Sequence, residues 1–172
     1  RQLVYDSARW RDVKAGVRTA VSLLDRPQAP DLADVNWRRI APLRAAVVHA
    51  LRGDSLREPG SITSARIAHA PGAQAGAWLV GGWLRARLKV DAAIEVAAEN
   101  EDSGLTLTIE AAGEAQPLVA AMTAHHVRVT SHRPAFVVPV PPESESEAVA
   151  AELLALAPDA GLCDALRALA AS

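Results

Sequence analysis

The run from Asp34 to Gly53 constrains the chain more than any other stretch. It sets a tryptophan and three arginines, Trp37, Arg38, Arg39 and Arg44, at the head of a patterned apolar segment. Leu43, Val47 and Leu51 recur at helical spacing and mark a face turned to a core. Pro42 falls where a helix begins, because a first-turn residue has no intrahelical use for an N–H. The spacing predicts a tight or helical turn over 34–39, a helix over 40–52 and a stop at Gly53. Two readings of the cluster stand. Trp37 closes one end of the core while Arg38, Arg39 and Arg44 are solvated, or the four residues anchor a partner protein, as aromatic and Arg side chains do at interfaces.

Around this run the chain alternates between elements. Gln2 to Tyr5 reads as a strand that Asp6-Ser7 ends, and the same pair offers side-chain oxygens to cap the next helix. That helix carries the stripe Trp10, Val13, Val17, Val21 and Leu24. A loop with two prolines follows over 26–31, and a polar loop over 54–60. Ile62 to Ala70 reads as a strand of poor alternation, and Ala73 to Lys89 as a helix burying Trp78, Leu79, Trp83, Leu84 and Leu88. Gly72, Gly76, Gly81 and Gly82 line that helix and point to close helix-on-sheet packing, since no phosphate-binding glycine pattern is present.

Ala92 to Ala98 and Leu105 to Ala111 alternate cleanly, and the turn signal over 99–104 makes them an expected antiparallel hairpin. Segments at 118–124, 126–130 and 136–140 add further strands, with Pro134 and Pro139 marking edges or ends. Ser144 and Glu147 have capping-box form, ahead of a helix reaching 157 with Val149, Leu153 and Leu156 as its inward stripe. A last helix spans 161–171 with Leu162, Leu166 and Leu169 inward. The sum is an α/β fold over one domain, residues 1–172: a mixed, largely antiparallel sheet flanked by about five helices.

Chemistry is sparse. A formal net charge of −2 gives no long-range pull toward nucleic acid or an anionic membrane. The longest apolar run, Ala73 to Leu84, is too short to span a bilayer. One cysteine, Cys163, rules out an internal disulfide and suits a reducing cytoplasm. His125 and His126 are adjacent, so on a strand their rings point to opposite faces and share no metal; His132 adds no known ligand spacing. Glu143, Glu145 and Glu147 read as solvated charge at a helix N-terminus. The junction Asp6–Ala8 has free N–H groups for an anion, but no glycine loop allows close approach and an Asp already occupies that end. No catalytic residue, metal or cofactor is assigned. The chain starts without Met inside a strand and reads as a piece of a longer polypeptide.

One resemblance covers nearly all of this. Asp34-x-Asn36-Trp37-x-Arg39-x-x-Pro42-x-Arg44, leading into an Ala/Leu-rich helix, resembles the C-terminal domain of the OpcA family, the glucose-6-phosphate dehydrogenase assembly proteins. Leu3 to Ala8 resembles the strand ending in Asp-Ser that opens that domain. Leu79-Val80-Gly81-Gly82-Trp83-Leu84-x-x-Arg87-Leu88 resembles its Trp-Leu-x-x-Arg-Leu helix, and 151–166 its closing helices. Ala41 replaces the family's usual Thr cap, Leu43 stands where an aromatic is common, and 113–142 matches poorly. The family's N-terminal half has no counterpart in this sequence.

The resemblance implies a non-catalytic, cytoplasmic subunit that assists assembly or activation of glucose-6-phosphate dehydrogenase in the oxidative pentose phosphate pathway. The dehydrogenase is then the partner, with Trp37, Arg38, Arg39 and Arg44 as the contact candidates. A different class stands beside it: a regulatory module binding a sugar phosphate or nucleotide through Arg39, Arg44 or the Asp6–Ala8 junction. An enzyme built on His125 or His126 has the weakest motif support.

Overall fold

A computed structural model describes residues 1–52, 61–90, 93–99, 104–155 and 158–172. The expected stop at Gly53, the loop over 54–60, the start of a strand at Ala92, turn residues 100–103 and the inward Leu156 lie outside the described residues.

Strand β1 (Gln2–Tyr5) pairs in parallel with β2 (Asp31–Asp34), a second strand of four residues in a stretch with no strand signal of its own. Between them runs α1 (Val13–Leu24), which buries Val13, Val17 and Ala20. Its start departs from expectation. Asp6 caps only a single 3-10 turn, Ser7–Arg9, and α1 takes its own cap from Asp12, whose Oδ1 accepts the Ala15 N–H at 3.0 Å. Trp10 therefore lies outside the helix. Its ring stacks on Tyr5 with centroids 5.6 Å apart and rests over Gly16, where a side chain would collide with it.

After β2 come α2 (Val35–Arg39), the expected single turn, and α3 (Ala41–Ala50), which has Pro42 in its first turn. The stripe Leu43, Val47 and Leu51 is buried as its spacing requires. Then follow β3 (Ile62–His69), α4 (Gln74–Leu88), β4 (Ile94–Ala98), β5 (Leu105–Ala111), β6 (Leu118–Met122), β7 (His126–Thr130) and β8 (Phe136–Pro139). The last two helices are α5 (Glu145–Leu154) and α6 (Ala160–Ala170).

The main sheet has the order β4-β3-β5-β6-β7-β8. It is mixed and mostly antiparallel, and six α-helices flank it among the described residues, α2 being the addition. The expected β4–β5 hairpin does not form. Both strands pair with β3, β4 in parallel and β5 antiparallel, so Ile67 has Val96 on one side and Leu107 on the other. The physical reason lies in β3, whose weak alternation reflects a central strand with Ile67, Ala68 and His69 all buried. From β5 onward each strand pairs antiparallel with the next. Pro139 ends β8, an edge strand, as its missing donor demands.

Leu105, Leu107 and Ile109 of β5 turn to the core, and Thr106 and Thr108 between them stay half-buried. Helix α3 lies against β6 and β7, α4 against β3 and β4, and α6 packs along α4 and α1. The glycines of α4 make this closeness feasible. Gly76 and Gly81 face strand side chains, Leu105 in one case and Ile67 and Ile94 in the other. Gly82 faces the backbone of α6 instead: a Cβ there would stand 2.4 Å from the Ala165 carbonyl oxygen. The close packing expected of these residues is thus helix-on-helix at Gly82 as well as helix-on-sheet. No described helix is long and apolar enough to cross a membrane.

Candidate functional site

Four side chains at the junction of β2 and α2 join the two ends of the parallel pair. Asp34 caps α2, its Oδ1 accepting the N–H groups of Ser7 and Asn36, each at 3.0 Å. Asn36 Nδ2 donates to Ser7 Oγ at 3.0 Å. Asp34 Oδ2 is buried with no hydrogen-bond partner, and so is the Tyr5 hydroxyl. Burial raises the Asp34 pKa from its ordinary 3.8 to about 6; the Ser7 and Asn36 hydrogen bonds oppose the rise and nearby Asp6 adds to it. Burial, with Asp34 close by, also holds the Tyr5 phenol well above its ordinary range. Asp34 is 1 % exposed and Ser7 fully enclosed, so this carboxylate meets no solvent.

Trp37 occupies the centre of α2 and is 3 % exposed. Its Nε1–H donates to Asp159 Oδ2 at 2.7 Å. Asp159 Oδ1 accepts the Leu162 N–H at 3.0 Å and so caps α6. From α3, the Arg44 guanidinium stacks 3.5 Å from the indole centroid, and its Nη2 donates to the Trp37 carbonyl at 3.2 Å. Burial lowers the Arg44 pKa to about 10, partly offset by Asp159. Trp37 is therefore core, as one of the two sequence readings has it, and Arg44 is half-buried on its ring rather than solvated.

Arg38 and Arg39 point elsewhere. Arg38 Nε donates to both carboxylate oxygens of Glu143, at 3.0 and 3.1 Å, and Nη1 lies 3.6 Å from Glu152 on α5. The Glu143 hydrogen bond raises the Arg38 pKa, while burial raises that of Glu152 against Arg38's pull. Arg39 Nη1 donates to Asp6 Oδ2 at 2.7 Å. Asp6 Oδ1 accepts the Ala8 N–H at 3.0 Å. The N–H offered to an anion at Asp6–Ala8 thus already holds a carboxylate of this chain, and Arg39 and Arg44 are engaged on Asp6 and Trp37. Both guanidinium groups of Arg38 and Arg39 keep 38 % side-chain exposure, so they reach solvent while paired.

Around the four expected residues the structure gathers Ser7 of the Asp6–Ala8 junction, and Asn36, Asp159, Glu143 and Glu152, which sequence reasoning does not select as site residues. Asp159 carries a readable signal: an Asp before an apolar-periodic segment is an N-cap signature. Asn36 neighbours Trp37 within α2 and carries no signal of its role, and Glu143 and Glu152 come from remote parts of the chain.

Helix α5 opens with the expected capping box, Glu147 Oε2 accepting the Ser144 N–H at 2.8 Å. Of its expected inward stripe, Val149 is partly buried and Leu153 instead points outward. Ala148 is the buried residue, and Leu153 and Leu154 are 55 % and 80 % exposed. The small side chain of Ala148 lets the helix lie close to α2 and β1, where Gln2 Nε2 donates to the Glu152 carbonyl at 2.7 Å. That seating leaves the two leucines pointing outward at the end of the helix.

His125 and His126 serve a turn. Thr123 Oγ1 accepts both their N–H groups at 3.2 Å, and His132 Nδ1 lies 3.4 Å from Glu114. Among the described residues no three His, Cys, Asp or Glu side chains converge to hold a metal. Cys163 is half-buried, and burial raises its thiol pKa.

Residues 30–166 match the family described as the C-terminal domain of the glucose-6-phosphate dehydrogenase subunit, the OpcA type. The chain belongs to this family. Among curated proteins, none matches it. The family stretch runs from the start of β2 into α6, so it holds Asp34, Trp37, Arg38, Arg39, Arg44, all of α5 and Asp159. The fold of this OpcA-type domain is completed from outside the match: Tyr5, Asp6 and Ser7 of the first 29 residues supply the other half of the β1–β2 junction. The domain is one associated with glucose-6-phosphate dehydrogenase.

Proposed function

We propose that the chain is a non-catalytic accessory domain that docks on glucose-6-phosphate dehydrogenase in the cytoplasm and favours its active assembly. The family match carries this reading, since the family is described as a subunit of that enzyme. The site geometry supports it. Asp34, whose pKa is raised furthest among the described carboxylates, is sealed from solvent and has no access to a substrate. What the chain presents instead is contact surface: the exposed Leu153 and Leu154 at the end of α5, and the partly exposed, ion-paired Arg38, Glu143 and Glu152. Exposed apolar side chains and arginine are residue types that protein interfaces use.

Among the four residues expected to touch the partner, Arg38 and Arg39 reach the surface, while Trp37 is buried and Arg44 is stacked on it. To favour an active assembly the domain binds that form more tightly than the inactive one, because equal affinity shifts no equilibrium. The test is co-purification of the full-length parent with its cognate dehydrogenase, and dehydrogenase activity with and without it. Retention on the enzyme together with a rise in activity is expected. A dehydrogenase that neither binds the parent nor responds to it rules the reading out.

A further inference from the structure

A cavity of about 480 Å³ lies between α1, α4, the edge strand β4 and the end of α6. Its volume is in the range of small-molecule sites, roughly 300–1,000 Å³. The wall carries Lys14, Arg18 and Arg85 and no Asp or Glu side chain. None of these three cations has an ion pair among the described residues. Lys14 instead sits over the Trp78 ring, 5.8 Å from its centroid. Val17 and Ile94 add an apolar floor.

Two of the charges, those on α1, are placed against local preference, while Arg85 lies in the last turn of α4, where a cation is favoured. Lys14 and Arg18 are one turn apart on α1, where like charges repel. Lys14 also lies in the first turn of that helix, the end at which the dipole disfavours a cation. Two other arginines of the chain are paired with carboxylates, Arg39 with Asp6 and Arg38 with Glu143 and Glu152, while Arg44 stacks on Trp37. Here three cations share one concave wall with a half-buried indole, which focuses positive potential into the cavity.

We propose that this cavity binds a phosphorylated small molecule, its phosphate on Lys14, Arg18 and Arg85 and its body on Trp78 and the apolar floor. Lys14 and Arg18 lie outside residues 30–166, so the site is shared between the family stretch and the segment before it. The proposal is independent of docking on the dehydrogenase.

Isothermal titration calorimetry of the chain with inorganic pyrophosphate, glucose 6-phosphate and ADP tests it. Saturable binding of glucose 6-phosphate or ADP is expected, weaker at higher salt, and whichever binds identifies the body as sugar or nucleotide. Lys14→Glu with Arg18→Glu lowers the affinity by roughly tenfold or more, since each charge-assisted contact to phosphate is strong. Arg87→Glu, at an exposed position of α4 outside the cavity wall, leaves it unchanged. Both α1 positions are exposed, and Lys14→Gln with Arg18→Gln repeats the test without charge reversal. Binding of pyrophosphate alone, binding of none of the three, or binding that survives both double variants overturns the proposal.

Discussion

The indole N–H of Trp37 and the carboxylate of Asp159, 122 residues apart, form one 2.7 Å hydrogen bond that ties α2 to the start of α6. The two oxygens of Asp159 divide the work, Oδ2 taking the indole and Oδ1 the Leu162 N–H. Trp37→Phe keeps most of the ring and removes the donor, and costs about 1.5–3 kcal/mol, the range for a hydrogen bond to a charged group. Trp37→Ala costs about 3–5 kcal/mol, as large aromatic deletions in a core do. In an Asp159→Asn background, where the charged acceptor is gone, Trp37→Phe costs less than in the parent, keeping only the loss of buried ring atoms. Urea unfolding of the four proteins gives the coupling; simple additivity would refute the shared bond.

Asp34 sets a pH dependence. Its folded pKa is about 6 against an ordinary 3.8, so between those values the folded chain keeps a proton that the unfolded chain has lost. Stability contributed by this group is full below pH 3.8, falls as pH rises to about 6 and is level above. The span corresponds to on the order of 3 kcal/mol. Asp34→Asn keeps a cap oxygen for Ser7 and Asn36 and removes the charge. The variant is more stable than the parent at pH 7, and that advantage shrinks away toward pH 4. Denaturation midpoints of the pair across this range check it, and parallel curves would contradict it.

Gly81 and Gly82 are neighbours with opposite tolerance. A Cβ at Gly81 meets Ile67 and Ile94 at an ordinary 3.6 Å, so Gly81→Ala is neutral or gains up to about 1 kcal/mol of helix propensity. At Gly82 the same atom would stand 2.4 Å from the Ala165 carbonyl oxygen and 2.7 Å from Leu169 Cγ. Gly82→Ala forces α4 and α6 apart and costs about 1–3 kcal/mol. Thermal melts of the two single variants separate them.

Leu153→Glu with Leu154→Glu probes the outward face of α5. Both side chains are largely in water already, so stability changes by within about 0.5 kcal/mol. Co-purification with the dehydrogenase is lost. Full retention by a folded double variant would move the docking surface away from α5.

Much of the framework can be read from local pattern. Leu43, Val47 and Leu51 declare α3, the alternation of β5 declares a half-buried strand, and Ser144 with Glu147 declares the start of α5. What stays hidden depends on remote neighbours. Four residues of β2 are too few to show a period. Clean alternation in β4 and β5 says that each has a dry face but not that β3 lies between them. Periodicity misplaces Leu153 of α5 because it weights large side chains, whereas the seated face is built on Ala148. At the candidate site Trp37 and its arginines stand out by type, yet their roles are set by Asp159, Glu143 and Asp6, which no spacing connects to them.

The strand order also decides where the sheet is left open to other chains. From β6 through β8 each strand lies on the outer side of the one before it, so the last strand in sequence is also the rim in space. That rim carries Pro139, which offers no N–H and so withholds one donor from a stray strand of another chain.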